Sequence, residues 1–192
     1  AEWQSKGGAD FLMAYLVGFK VGICVGKCAG QPHYLRGWHS TSTLGRLACA
    51  AACAKIMHLN ETRALYAMGI AGTQSSGLKQ VLGTMCKPLH AGTASQGGLM
   101  AAMLAQEDFT SAPDIFEGSQ GFFKAFGGEI DEEAVSSLSK TWEIENLAQK
   151  YYASCYFTHS PIEAALRIQK KENLIWKNVR NVKVRVSQSA LD

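Results

Sequence analysis

Three glycines, Gly18, Gly22 and Gly26, recur every four residues within the apolar stretch 9–29. On an α-helix this spacing places all three on one face, where the missing Cβ atoms let another backbone approach closely. The stretch is also long and apolar enough to suggest a membrane span, but two lysines interrupt it. We therefore predict a buried helix in a soluble bundle, with a membrane helix as the alternative.

Further stretches have the same small-residue character. Residues 43–58 and 93–106 are rich in alanine and glycine and predict two more packed helices. Asn60 offers an N-cap for the helix that follows it. Ser160 precedes a proline and a glutamate, which predicts that it caps a helix running to about Lys171. The fold class is mainly α, a buried helical bundle rich in small residues.

The hydrophobic period changes near the end of the sequence. In NVKVRVS, Val182, Val184 and Val186 alternate with charged residues, and this pattern predicts a half-buried strand. A single strand is not stable alone in water. The strand therefore pairs with another chain, or the sequence is a piece of a longer protein.

Composition limits the classes of function. The net charge is +3, and no run of Lys or Arg exceeds two residues, so we expect no nucleic-acid partner. The first ten residues do not resemble a signal peptide, and none of the six cysteines lies in a C-x-x-C pair. We predict free thiols and a cytoplasmic location, or a mitochondrial one in a eukaryote. A zinc site at Cys24/Cys28 and Cys49/Cys53 is the alternative to no metal.

Three polar clusters interrupt the apolar helices, and each ends where a helix is predicted to begin. The clusters contain Arg36, His39 and the hydroxyls of 40–43; Lys87, His90, Thr93 and Ser95; and Lys150, Tyr151, Tyr152, Thr158 and His159. Helix N-termini favour anions, imidazole transfers protons near neutral pH, and lysine neutralises carboxylates. Clusters that converge would form a pocket for a substrate with several carboxylates.

Each cluster also has a plainer interpretation when it is taken alone. A run of hydroxyls before a helix commonly caps that helix, and a histidine beside it commonly makes a local hydrogen bond. His33 and His58 have no polar setting, and we expect them to be structural or surface residues. The sequence contains no G-x-S-x-G, P-loop or H-E-x-x-H motif, which argues against the site types that those motifs build.

Five stretches, taken in order, resemble the MmgE/PrpD family, which includes 2-methylcitrate dehydratases, cis-aconitate decarboxylases and an iminodisuccinate epimerase. The stretches are GWHSTSTLGRLACAAACAKIMHLN, ALYAMGIAGTQSSGL, KPLHAGTASQGGLMAAMLA, FTSAPDIFEGSQGFFKAF and YYASCYFTHSPIEAAL. The resemblance implies a helical domain with a smaller α+β lid domain, homodimers, and catalysis without a metal or an organic cofactor. It also implies that the chain is the central part of a longer enzyme.

The resemblance divides the chain into a partial helical domain at 1–175 and the truncated start of the lid at 176–192. It assigns His39, Lys87 and Lys150 as catalytic residues, and it places His90, Thr93, Tyr152 and His159 among the residues that bind substrate. Arg36 joins this group through the first polar cluster. Where many members of the family have a proline after the turn histidine, this chain has Ser40.

The resulting hypothesis is a lyase that acts on a small di- or tricarboxylate with no membrane or nucleic-acid partner. A base removes a proton next to a carboxylate, the lysines hold carboxylates, and His39 orients substrate or transfers a proton. Loss of water, loss of carbon dioxide or reprotonation decides the product, and the sequence leaves these three outcomes open. A truncated or degenerate helical fragment without catalysis is the rival interpretation.

Overall fold

A computed structural model of the chain describes residues 1–187 and consists mainly of helices, which confirms the predicted class. The α-helices are α1 (Gly8–Leu35), α2 (Ser40–Ile56), α3 (Glu61–Thr73), α4 (Cys86–Gln106), α5 (Phe122–Phe126), α6 (Glu132–Ser137) and α7 (His159–Glu172). Single 3₁₀ turns lie at Glu2–Gln4, Lys79–Val81, Glu143–Asn146, Tyr156–Thr158 and Trp176–Asn178.

The chain divides into two compact units, Ala1–Asn146 and Leu147–Asp192, and the second is described as far as residue 187. The first unit contains α1 to α6, and the second contains α7. The predicted division into domains at 175/176 and the assignment of the last segment to a lid domain both stay predictions. Residues 188–192 of that predicted segment lie outside the described residues.

Helix α2 is the centre of the first unit, because α1, α3 and α4 all pack against it. Apart from Arg46, its buried residues are small or aliphatic, and Leu47 and Ala50 are fully buried. The core continues through alanines of α3 and α4 to the aromatic rings of Phe122 and Phe123. The predicted N-cap of α3 is confirmed, because the Asn60 side chain accepts a hydrogen bond from the Arg63 amide at 2.9 Å.

The glycine face of α1 is confirmed as the surface that meets α2. A Cβ atom on Gly18 would lie 2.7 Å from the Ala48 carbonyl oxygen and 2.8 Å from the Ala52 Cβ. A Cβ on Gly22 would lie 2.9 Å from the Ala48 Cβ, whereas one on Gly26 would make ordinary contact with Leu44 at 3.6 Å. The two backbones can lie this close only because the side chains between them are absent.

The opposite side of α2 meets α4 in the same way. A Cβ on Gly98 would lie 2.7 Å from the Ala50 backbone nitrogen and closer still to the Cys49 Cβ. Helix α4 begins at Cys86, seven residues before the predicted start at Thr93. Pro88 does not prevent this, because a proline in the first turn removes an amide that has no partner within the helix.

Helix α1 bends at Gly30, whose φ of 56° lies outside the helical range, and Pro32 lies two residues later. Within residues 1–187, α1 is long and apolar enough to cross a membrane, with a mean hydropathy of 1.6 over an 18-residue window that is 28% buried. Length and composition do not separate a membrane helix from a core helix of a soluble protein. The soluble bundle therefore stays a prediction on this point.

In the second unit one expectation is wrong and another is not shown. Helix α7 begins at His159, so Ser160 lies inside the helix, and no side-chain hydrogen bond caps it. Residues 179–187 form no strand, although Val182–Val186 lie beside α7 along a groove that includes Ala164 and Ile168. The alternating valines find an apolar surface there, but within the described residues no second strand accepts their backbone hydrogen bonds.

The contact between α1 and α2 predicts different effects for the same substitution at neighbouring glycines. We expect Gly18→Ala to lower the free energy of unfolding by about 1–3 kcal/mol, because the new methyl group meets a backbone carbonyl. Gly26→Ala is the matched control and should be neutral or stabilise by up to about 1 kcal/mol, because the site has room and alanine favours helix. Urea denaturation of both variants measures the difference, and equal effects would contradict the close contact.

Candidate functional site

The candidate site lies at one end of the first unit, where α2 and α4 begin. His39 is the N-cap residue of α2, and its backbone amide donates to the Gly77 carbonyl at 3.0 Å. An antiparallel bridge between Trp38 and Leu78 adds to this connection. The loop after α3 is thereby held against the turn that carries His39, which fixes the direction in which the imidazole points.

Gly77 is required at this position for two reasons. Its φ is +123°, which residues with a Cβ rarely adopt. A Cβ would also lie 2.5 Å from the Ser42 side chain and 3.3 Å from Cε1 of His90. The loop therefore packs directly over the space between the two helix starts.

The central contact of the site is a hydrogen bond between two histidines. Nδ1 of His39 and Nδ1 of His90 lie 2.8 Å apart, and both side chains are half-buried. One ring must donate and the other must accept, so the facing pair holds one proton between its two Nδ1 atoms. Such a pair can pass a proton to or from a bound substrate at its outer nitrogens.

The environment keeps His39 uncharged. Partial burial, followed by the neighbouring His90 and Lys87, lowers the pKa of His39 below its usual value. At neutral pH the His39 ring is therefore neutral and can act as a base. The positive charge of the site comes from Lys87, which lies exposed in the first turn of α4, one turn before His90.

A cation beside two helix N-termini is a setting that attracts anions. Side chains near a helix start lie close to backbone amides without helical partners, and the helix dipole adds partial positive charge. His39 is the N-cap of α2 and His90 lies one turn after Lys87 near the start of α4, and their 2.8 Å contact brings the two helix starts together. The arrangement can hold a carboxylate next to a neutral imidazole.

Two predicted residues of the first unit have other local contacts. Thr93 is half-buried on α4, one turn after His90, and its hydroxyl donates to the His90 carbonyl at 3.2 Å. Arg36 ends α1, and its guanidinium lies against Gly127, where a Cβ would be 3.2 Å away. The structure thus brings His39, His90 and Lys87 together, and the binding roles of Thr93 and Arg36 stay predictions.

The other predicted residues belong to the second unit, which is described by itself. Lys150 is exposed, and its ammonium donates to the Ser154 carbonyl at 2.9 Å. The Tyr152 hydroxyl donates to Glu163 at 2.8 Å, and this contact raises the pKa of Tyr152, so the phenol remains protonated. The His159 ring lies between Tyr152 and Tyr156, with centroid distances of 5.3 and 5.4 Å.

Sequence reasoning missed two charged residues of this second cluster. Glu163 accepts from Tyr152 and also from Arg167, whose Nε lies 2.8 Å away. Together with His159 these side chains line an open hollow of about 610 Å³. Their spacing of four residues along α7 is the signal that could have found them, since residues at i and i+4 share a helix face.

His33 is structural, as expected. It is 1% exposed, its Nε2 lies 2.8 Å from the Thr43 hydroxyl, and its ring packs beside Phe122 and Phe126. This contact joins the end of α1 to the first turns of α2. The contact therefore helps to hold the turn that carries His39 in place.

The cysteines within residues 1–187 are free thiols, and no group of three or more His, Cys, Asp or Glu side chains there could hold a metal. Burial and the neighbouring Cys28 raise the pKa of Cys24 to about 11, so this thiol stays protonated. Protonated buried thiols behave as small hydrophobic side chains. The prediction of no metal and no cofactor stays a prediction.

Comparison with known proteins identifies relatives across most of the chain. The model for the MmgE/PrpD N-terminal domain matches residues 1–133. The chain is 35% identical over 188 residues to a cis-aconitate decarboxylase-like protein, oryM, of Aspergillus oryzae, covering 88% of this chain and 39% of that protein. It is 32% identical over 200 residues to a cis-aconitate decarboxylase of Aspergillus terreus, covering 95% and 40%.

A human protein is more distant. The cis-aconitate decarboxylase of Homo sapiens is 27% identical over 166 residues, which cover 85% of this chain and 34% of that protein. The chain thus spans about two fifths of the length of the Aspergillus relatives that it matches.

The lowered pKa values predict a loss of stability on mild acidification. Burial lowers the pKa of His33, and His39 is lowered as described. In the unfolded chain both titrate near pH 6.5, so as the pH falls through that value the unfolded chain binds protons that the folded chain does not. Folding stability is complete above that pH and should fall below it, by up to about 1.4 kcal/mol per pH unit for each histidine.

Urea denaturation at pH 7.5 and pH 5.5 measures this effect. A His33→Gln variant should show a smaller decrease in the free energy of unfolding between the two values. His58→Gln, at an exposed position, is the control and should behave as the original chain does. A free energy of unfolding that is constant or rises on acidification would contradict the prediction.

Proposed function

The chain belongs to the MmgE/PrpD family, and from that premise we propose that it supplies part of the active site of a lyase that decarboxylates a small tricarboxylate of the cis-aconitate type. The observation that carries the proposal is the His39–His90 pair at 2.8 Å with Lys87 beside it. The relatives named cis-aconitate decarboxylases support the choice of substrate class.

The proposed chemistry uses a proton and a fixed positive charge. In decarboxylation the bond to one carboxylate breaks, carbon dioxide leaves, and the electron pair delocalises into the remaining unsaturated acid. A proton is added to carbon to complete the step. The histidine pair supplies that proton from an outer nitrogen, and Lys87 with the starts of α2 and α4 holds a carboxylate and stabilises the negative charge that develops.

The lowered pKa of His39 suits a role in proton transfer. A ring that is neutral at the working pH can both take and return a proton, whereas a ring that stays charged can only donate. The His90 ring lies at hydrogen-bond distance from His39, and this contact determines which nitrogen of His39 carries the proton. His39 is therefore proposed as the group that transfers the proton, and His90 as its partner and a substrate-binding residue.

The remaining predicted residues stay in the proposal on the strength of the family resemblance. Lys150 is a proposed catalytic residue, and Thr93, Tyr152, His159 and Arg36 are proposed substrate-binding residues. We also propose that the enzyme works as a cytoplasmic homodimer without a cofactor. Dehydration of a 2-methylcitrate-type substrate and epimerisation are the alternative reactions that the assay below distinguishes.

Titration of the chain with cis-aconitate, followed by the nuclear magnetic resonance signals of the imidazoles, tests the site without requiring turnover. We expect the His39 and His90 signals to move together as the ligand binds. Lys87→Ala should weaken binding by about 10- to 100-fold, since a hydrogen bond to a charged group is worth about 1.5–3 kcal/mol. Lys55→Ala, which removes an exposed lysine from the last turn of α2, is the control and should bind normally.

An activity assay then identifies the reaction. Release of carbon dioxide from cis-aconitate, abolished by His39→Gln, is the expected result. Loss of water from 2-methylcitrate would replace the decarboxylase with a dehydratase at the same site. Unchanged affinity for cis-aconitate in Lys87→Ala would contradict the assignment of the site, and absence of any carboxylate binding would favour the non-catalytic fragment.

A further inference from the structure

Arg46 is a nearly buried cation within the first unit. It lies on α2 and is 9% exposed. Its guanidinium lies flat against α4 at Gly97, where a Cβ would be 2.6 Å from Nη1 and 2.7 Å from Cζ. The glycine therefore provides the space that the guanidinium occupies.

Arg46 has no counter-charge among residues 1–187. Its Nε is buried without a hydrogen-bond partner. The ion pairs of arginines in this part of the chain are instead Arg63 with Asp108 and Arg167 with Glu163. A buried cation without a partner lowers stability by the cost of its desolvation, and a protein tolerates that cost most readily where an anion can come to it.

Contact with water alone is the alternative, because arginine often buries its carbon chain and keeps its charged head in solvent. Arg63 and Arg167 have more exposed side chains, at 36% and 79%, and each is also paired with a carboxylate. Arg46 is 9% exposed and its Nε is enclosed, so this nitrogen does not reach water. The exposed fraction that remains is the route by which a ligand from solvent can reach the guanidinium.

The position of Arg46 separates it from the histidine pair. It lies seven residues after His39 on α2, and Gly97 lies seven residues after His90 on α4. Seven residues are two helical turns, about 10 Å along each axis. A carboxylate on Arg46 therefore occupies a different position from a carboxylate held by Lys87.

We propose that Arg46 binds the carboxylate of a small organic acid at a second anion position between α2 and α4, two turns from the His39–His90 pair. A guanidinium can present two N–H groups to the two oxygens of one carboxylate, which matches that ligand. Burial lowers the pKa of Arg46, and this agrees with a desolvated charge that an anion would stabilise. The site does not depend on the reaction proposed above.

The test uses the Nε–H signal of Arg46 in a ¹⁵N-labelled Lys87→Ala chain, where carboxylate binding by Lys87 is absent. The signal is assigned by its loss in Arg46→Met. Addition of citrate should shift it in a saturable way, and sodium chloride at equal ionic strength should not. The Nε–H of Arg63, which is already paired with Asp108 at 2.8 Å, is the control and should keep its position.

Thermal unfolding supplies a second measurement. Citrate should raise the Tm of the Lys87→Ala chain, and the additional Arg46→Met substitution should remove that rise while leaving the Tm without citrate equal or higher. An Arg46 signal that does not move at high citrate would overturn the proposal. So would a citrate effect on Tm that persists undiminished in Arg46→Met.

Discussion

Close contact between helix backbones is the constraint on which the rest of the first unit depends. Gly18 of α1 meets the Ala48 carbonyl oxygen of α2, and Gly98 of α4 meets the Ala50 backbone nitrogen. Contact with backbone atoms leaves the helices little freedom to slide or rotate against each other, because a backbone cannot move aside as a flexible side chain can. The register of α2 against both neighbours is therefore fixed along its length.

That register determines where chemical groups can meet. His39 and His90 belong to different helices and are 51 positions apart, yet their Nδ1 atoms lie 2.8 Å apart. A shift of one residue between α2 and α4 would turn the side chain through about 100° and separate the rings. The small residues in the middle of the helices thus set the geometry at their ends. The buried His33–Thr43 contact also holds the start of α2 against the end of α1.

Much of the bundle could be predicted from the sequence, because glycine spacing and alanine content are local patterns that report on one helix face. The early start of α4 could not, since Pro88 resembles a loop residue and its acceptability depends on position within the first turn. The strand predicted at 182–186 is not shown, for a different reason. Alternation specifies which faces are apolar, but a strand also needs a partner, and a partner is not encoded within five residues.

The candidate site shows the same limit. A pattern of histidine, lysine and hydroxyls before a helix predicts an anion-binding turn, and it selected His39, Lys87 and His90. It could not predict that the two imidazoles would touch, because that contact is set by packing between helices. It also missed Arg46, which a sequence places among alanines as an isolated cation. The burial of that guanidinium becomes visible only when Gly97 is seen to lie opposite it.

The protonation state of the two histidines follows from this packing. Two imidazoles that share one proton at hydrogen-bond distance resist a second, because two facing cations would repel each other. The ammonium of Lys87 adds to that resistance and lowers the pKa of His39 further. A bound polycarboxylate would reverse the balance, since its negative charge offsets Lys87 and makes a protonated imidazole easier to form. A bound ligand would in this way raise the affinity of the histidine pair for a proton, which is the proton that the proposed decarboxylation consumes.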